Sequence, residues 1–302
     1  MKTILVTGSN GLLGQKLTDL LKGNSEYRLI ATAKGEDRYP DKSGYTYAHL
    51  DITNLSEVEE VLATYKPDAV IHTAAMTNVD QCETDHEGCD ALNVKAVQYI
   101  VQTCEKQGIY LVHLSTDFIF NGDKGPLTEE DKPDPISYYG ESKLKAEQIV
   151  QAMKGHWSIV RTVLVFGIVS DMSRSNIVLW VKNNLEQQKN IKVVNDQWRT
   201  PTLAEDLAMG CFLAVDKQAQ GIYNISGGDL LTPYDIAQHT AKFFNLDASL
   251  IEEVDSSTFK QPARRPLKTG FVIDKAKREL GYQPHTFEQG IQVLADQLSQ
   301  KV

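Results

Sequence analysis

A chain of 302 residues, 41% hydrophobic and 24% charged, carries enough apolar material for one large domain or a domain with a smaller companion. Its net charge of −9 disfavours a nucleic-acid partner, which needs a basic face to displace counterions, but leaves room for a local basic pocket. No apolar run reaches the roughly 20 residues that span a bilayer, and Thr3-Ile4-Leu5-Val6 is too short for a signal-peptide core; a cytoplasmic protein without a membrane partner is expected.

Taken in chain order, short apolar runs at residues 3–6, 28–32, 69–73, 110–115 and 157–165 read as strands. Helically spaced stripes lie between them: Leu12-Leu13, Leu17 and Leu20-Leu21; then Val58, Val61 and Leu62; then Leu92, Val97, Ile100 and Val101. Strands alternating with helices imply a parallel sheet covered on both faces, and the mostly apolar runs at 69–71 and 109–114 suit strands buried on both sides. Beyond residue 166 the pattern changes. Residues 176–187, 233–245, 274–280 and 287–297 read as helices, and 221–226 as one more strand. The cysteines, Cys82, Cys89, Cys104 and Cys211, form no CxxC pair and no compact cluster with histidine. Buried free thiols in a reducing compartment are expected, with no metal site.

The first strand runs into Gly8-Ser9-Asn10-Gly11-Leu12-Leu13-Gly14, which opens the first helical stripe. Glycines let such a turn fold tightly and approach a pyrophosphate, and the helix N-terminus presents free N–H groups to the anion. A dinucleotide site is expected on Gly8, Ser9, Asn10, Gly11, Leu12, Leu13 and Gly14. The second strand ends Ala31-Thr32-Ala33-Lys34, with no carboxylate placed to accept from a ribose 2′-hydroxyl and with Lys34 and Arg38 nearby. That favours NADPH over NADH, with Glu36 and Asp37 leaving NADH open. The fold class is therefore α/β. A Rossmann-type doubly wound parallel sheet is expected over residues 1–166, with a further strand near 221–226. A smaller, mostly helical, substrate-binding region over 167–302 is interleaved with it.

Tyr139 and Lys143 stand four apart on a predicted helix and so share a face. A neighbouring ammonium is expected to favour the phenolate and draw the Tyr139 phenol toward useful acid–base range. A third member is expected at the end of the preceding strand, where Thr116 or Ser115 can hydrogen-bond a reacting oxygen.

Together these residues resemble an extended short-chain dehydrogenase/reductase. Four segments resemble the dTDP-4-dehydrorhamnose reductases in particular: residues 74–83, residues 115–122, Asp196-Gln197-Trp198-Arg199-Thr200-Pro201-Thr202, and Arg264-Arg265-Pro266. The resemblance implies hydride delivery from NADPH to C4 of a dTDP-4-keto-6-deoxy-hexose. It implies that Tyr139 protonates the nascent alkoxide, that Lys143 supports Tyr139 and holds the nicotinamide ribose, and that Thr116 polarises the keto oxygen. It places Asp51 and Ile52 by the adenine and Ala74 and Ala75 along the dinucleotide. Thr77, Val79 and Phe118 would line the sugar pocket, and Arg264 and Arg265 would hold the nucleotide diphosphate. Leu164 stands where family members often carry a Trp near the sugar. Some members use Mg2+ at a subunit contact, for which this sequence shows no motif. A homodimer is possible through helix packing.

Two other functions share these features. A nucleotide-sugar epimerase needs only reversible hydride transfer, whereas dehydration is disfavoured because Phe118 follows Thr116-Asp117 where dehydratases often carry Glu. Some relatives serve as non-catalytic regulatory subunits of methionine adenosyltransferase.

Overall fold

The computed structural model describes residues 1–170 and 176–300. Its centre is a seven-stranded sheet with every pairing parallel. Strand β1 is Lys2–Thr7, β2 Tyr27–Ala33, β3 Thr46–His49, β4 Ala69–His72, β5 Tyr110–Thr116 and β6 Trp157–Thr162. The strand Gly221–Asn224 joins the edge beside β6, and β1 separates β2 and β3 from β4, β5 and β6. The winding direction reverses at β1, which opens a crevice at the carboxyl ends of the strands, where ligands bind in such sheets.

Alternation along β1 feeds two cores. Ile4 and Val6 face a cluster with Leu17 and Leu21 of helix α1 (Leu12–Leu21), together with Leu207 and Cys211 of the helix Ala204–Asp216. Leu5 faces the opposite layer, made by helices α2 (Leu55–Tyr65), α5 (Ala96–Gln107) and α6 (Tyr138–Gln151), with two short helices, α3 (Val79–Thr84) and α4 (His86–Asp90), between α2 and α5. These doubly covered strands match the apolar runs in the sequence. All four cysteines are buried and free.

The outer part of the chain folds apart from the sheet. The helices Ile177–Glu186 and Pro233–Phe243 share a core with a parallel pair of strands, Ile191–Val194 and Ile251–Val254. Between them the chain returns to the sheet through Ala204–Asp216 and Gly221–Asn224. No helix among the described residues is long and apolar enough to cross a membrane.

One expected strand is divided. The run at 157–165 ends as β6 at Thr162, and Val165–Phe166 pairs instead with Thr202–Leu203. Leu164 sits between them at φ +38°, a left-handed conformation that breaks the extended ladder and turns the chain out of the sheet.

Candidate active site

A cleft of about 680 Å³ runs along the carboxyl ends of the strands, within the usual range for small-molecule sites. The glycine turn forms one end. Helix α1 starts at Leu12, and among the described residues no side chain caps its N-cap Gly11, so its first N–H groups face the cleft without an intrahelical partner. A Cβ on Gly14 would lie 2.3 Å from the Gly8 carbonyl oxygen and 2.5 Å from the Ser9 Cα. Both obstacles are backbone. Gly14→Ala is therefore expected to weaken dinucleotide binding at least about tenfold, through the overpacking cost of a displaced turn; titration of NADPH fluorescence checks this, and affinity within twofold of wild type would contradict it.

Of the expected turn residues, Gly8, Asn10, Gly11, Leu12, Leu13 and Gly14 line the cleft. Ser9 does not. Its N–H is spent on the Thr32 carbonyl of β2 at 3.0 Å and its side chain is buried. Asn10 fastens the loop after β2, donating to the Glu36 carbonyl and accepting from the Arg38 N–H, each at 2.8 Å. Lys34, Asp51, Ile52, Ala74 and Ala75 also line the cleft. Lys34 pairs with Asp51 at 2.6 Å. Asp37 is occupied by the Tyr45 hydroxyl and Lys42. Arg38, exposed at the cleft, has no carboxylate within 4.0 Å among the described residues. These donors and the glycine turn fit a dinucleotide.

At the other end, Thr116 ends β5 while Tyr139 and Lys143 open α6, which Ser137 caps by accepting from the Gly140 N–H. Gly140 permits the approach: a Cβ there would lie 2.2 Å from the Phe118 carbonyl oxygen. The first turn of α6 can therefore press against the end of β5 and bring Tyr139 to Thr116. Tyr139 is buried, edge-on to Phe118 at 5.7 Å and packed with Cys82 and Cys89.

The expected activation by Lys143 is not what sets the phenol. Burial pushes Tyr139 well above its ordinary range, the Thr116 hydroxyl pulls the other way, and the Asp117 charge adds to the rise. The Lys143 ammonium instead donates to the Leu114 carbonyl at 2.6 Å. Burial lowers Lys143 to about 8, against a raising effect from Glu147. Tyr139 thus keeps its proton throughout the neutral range, and Lys143 is the group that titrates near it. If the ammonium is the working form, kcat/KM falls as pH rises through about 8, because the free enzyme then loses the Lys143 proton. A profile flat from pH 7 to 9.5 would contradict this.

Thr77, Val79 and Phe118 line the same cleft, as does Leu164. The expected arginine pair does not. Arg265 is held by Asp80 through two contacts, Nη2 to Oδ2 at 2.8 Å and Nη1 to Oδ1 at 3.2 Å, and Arg264 is exposed.

Two features have no counterpart in the sequence reading. Asn93 lies in a single π-helical turn, Ala91–Lys95, and is buried. It accepts from Met76 N–H at 2.9 Å and donates to the Met76 carbonyl and to Ser142 Oγ, each at 3.0 Å. It thereby ties the loop carrying Ala74 and Ala75 to α6, in the kind of local irregularity that gathers at functional sites. A lone Asn inside an apolar stripe gives no hint of this. The second feature is a buried ion pair of Asp117 with Arg199 at 3.3 Å behind Thr116. Among the described residues no group of three or more His, Cys, Asp or Glu is arranged to hold a metal ion.

This fold, with a glycine turn at one end of the crevice and a Thr–Tyr–Lys set at the other, defines an extended short-chain dehydrogenase/reductase. Within that class, the chain belongs to the RmlD substrate binding domain family, whose model matches residues 1–300. It is similar to a probable low-salt glycan biosynthesis reductase of Haloferax volcanii, 30% identical over 96% of both chains. It is similar to the beta subunit of methionine adenosyltransferase 2 of Xenopus tropicalis, 28% identical over 83% of this chain and 74% of that one. Among solved structures, dTDP-4-dehydrorhamnose reductase of Bacillus anthracis in complex with NADP superposes with a TM-score of 0.85 at 28% identity, covering 98% of this chain and 100% of that one.

Proposed function

We propose that this protein reduces the C4 ketone of a nucleotide-linked 4-keto-6-deoxy sugar, with NADPH as preferred reductant and a dTDP-hexose as substrate. The observation that carries the reading is the convergence of Thr116, Tyr139 and Lys143 in one cleft with an uncapped, glycine-lined helix N-terminus. Its likeness to a dTDP-4-dehydrorhamnose reductase holding NADP supports the substrate and cofactor class. Bound NADPH supplies the hydride. Tyr139, protonated across neutral pH, gives its proton to the developing alkoxide. Thr116, whose single hydroxyl hydrogen rests on Asp117 before substrate enters, turns it to the keto oxygen at the end of β5. Lys143 offers its remaining ammonium donors to the cofactor ribose and keeps positive charge beside Tyr139. Thr77, Val79 and Phe118 shape the sugar subsite. Arg38 supports the preference for NADPH, as a cation at the cleft with no carboxylate within 4.0 Å among the described residues to compete with a 2′-phosphate.

A panel of nucleotide-linked 4-keto sugars assayed for NADPH oxidation tests this. Stoichiometric consumption with one of them is the expected result, faster with NADPH than with NADH at matched low concentrations. Conversion of sugar without net consumption would make the protein a C4 epimerase. The likeness to methionine adenosyltransferase subunits motivates a second reading, a regulatory subunit. Its signature would be no turnover with any sugar and a cellular role untouched by Tyr139→Phe.

A further inference from the structure

The Asp117–Arg199 pair does more than fill space. Both side chains are buried, and each polar group of the pair has a defined partner. The Asp117 carboxylate takes the Thr116 hydroxyl at 3.1 Å on Oδ1, and on Oδ2 both the Thr269 hydroxyl and the Arg199 Nε. The rest of the guanidinium is spent on main chain: Nη1 donates to the Trp198 and Leu267 carbonyls at 2.8 and 3.2 Å, and Nη2 to the Pro266 carbonyl at 2.6 Å. The segments so gathered are also joined directly, Trp198 N–H to the Leu267 carbonyl at 2.6 Å and Thr269 N–H to the Trp198 carbonyl at 3.1 Å. One side chain therefore bridges the residue after Thr116 to two segments of the outer half of the chain. Its guanidinium also lies 5.8 Å from the Phe118 ring, which lines the cleft.

We infer that Arg199 is a positioning residue, fixing the Thr116 hydroxyl through Asp117 and fastening that strand end to residues 266–269 through the Pro266 and Leu267 carbonyls, with the Trp198 carbonyl as a third partner. The inference rests on the ketone-reductase reading, in which Thr116 meets the keto oxygen. A planar five-donor fork is the side chain suited to serve one carboxylate and three carbonyls at once. Removing it strands a buried carboxylate beside Thr116, whereas removing both charges does not.

The test uses the full chain with Arg199→Met, Arg199→Lys and the double variant Asp117→Asn/Arg199→Met. For Arg199→Met, kcat is expected to fall about 30-fold or more while the NADPH Kd changes less than about twofold. The double variant is expected to regain at least about fivefold in kcat, since a carboxamide oxygen still accepts from Thr116 and no charge is left buried alone. Arg199→Lys keeps the charge without the fork; it serves should the Met variant fail to fold, and is expected to lose kcat likewise. Amide hydrogen exchange reads the coupling without turnover: exchange at 116–119 and 267–269 should quicken together in the single variants. Either variant with kcat within threefold of wild type, or exchange quickening at one segment alone, would overturn the inference. A wild-type protein that reduces no keto sugar would instead defeat the reductase reading, and the exchange experiment would still decide whether Arg199 couples the two segments.

Discussion

Tyr139→Phe is expected to lower kcat by about 10²-fold or more, the scale of a lost general acid, while leaving NADPH affinity nearly unchanged. The substitution removes one oxygen and keeps the ring, so the edge-on contact with Phe118 and the packing against Cys82 and Cys89 persist. What disappears is the proposed proton donor. The neighbouring polar groups are engaged elsewhere: the Thr116 hydroxyl hydrogen goes to Asp117, and Lys143 donates to the Leu114 carbonyl. Thr116 is an alcohol that gives up no proton near neutral pH, and the remaining Lys143 donors serve the cofactor ribose. Single-turnover reduction of a 4-keto sugar nucleotide measures the effect, and a loss below tenfold would count against Tyr139 as the donor.

This expectation depends on a feature that the spacing of Tyr139 and Lys143 could not reveal. Four residues along a helix put both side chains on one face, which the structure bears out. The spacing says nothing about how deep that face lies. Burial raises the phenol and lowers the ammonium, so the two shift in opposite directions from their ordinary values. The pair then divides the work: a tyrosine that holds its proton and a lysine that titrates near neutrality.

Legibility elsewhere followed the same line. The buried parallel strands announced themselves because a strand covered on both faces is apolar along most of its length. The edge strand Thr46–His49 did not, since its residues are only partly buried and carry no apolar run. The helix Ala204–Asp216 was hidden by Gly210 at its middle, which ordinarily argues against a helix. A Cβ there would meet Ile225 at 2.5 Å, so the glycine serves close packing. The glycine turn could be read because its function requires a local pattern, strand then glycines then helix. Arg265 could not, because its partner Asp80 is 185 residues away and only the fold brings them together. The Asp117–Arg199 pair escaped for the same reason.

A third ion pair, buried more deeply, carries the other large effect. Glu147 lies one turn beyond Lys143 on α6 and is fully buried against Arg161 of β6. The contact is two-pronged, Nε to Oε1 at 2.9 Å and Nη2 to Oε2 at 2.7 Å. Arg161 spends its third nitrogen on the Glu129 carbonyl at 3.3 Å and lies 5.4 Å from the Phe120 ring. Glu147→Ala is therefore expected to destabilise the fold by about 3–5 kcal/mol, the cost of a buried guanidinium without its partner. Glu147→Leu paired with Arg161→Met should recover most of that loss, because an apolar pair of similar volume replaces both charges; urea unfolding of the three proteins gives the comparison. The double variant that stays folded also exposes a functional link. Glu147 raises Lys143 against the lowering effect of burial. Without that negative charge the ammonium is less favoured, so Lys143 loses its proton at lower pH. The alkaline fall in kcat/KM should move below about 8 in the double variant. A stability loss under about 1 kcal/mol for Glu147→Ala would show that the pair contributes no more than an exposed one. An unmoved alkaline limb would show that Lys143 is not the group that sets it.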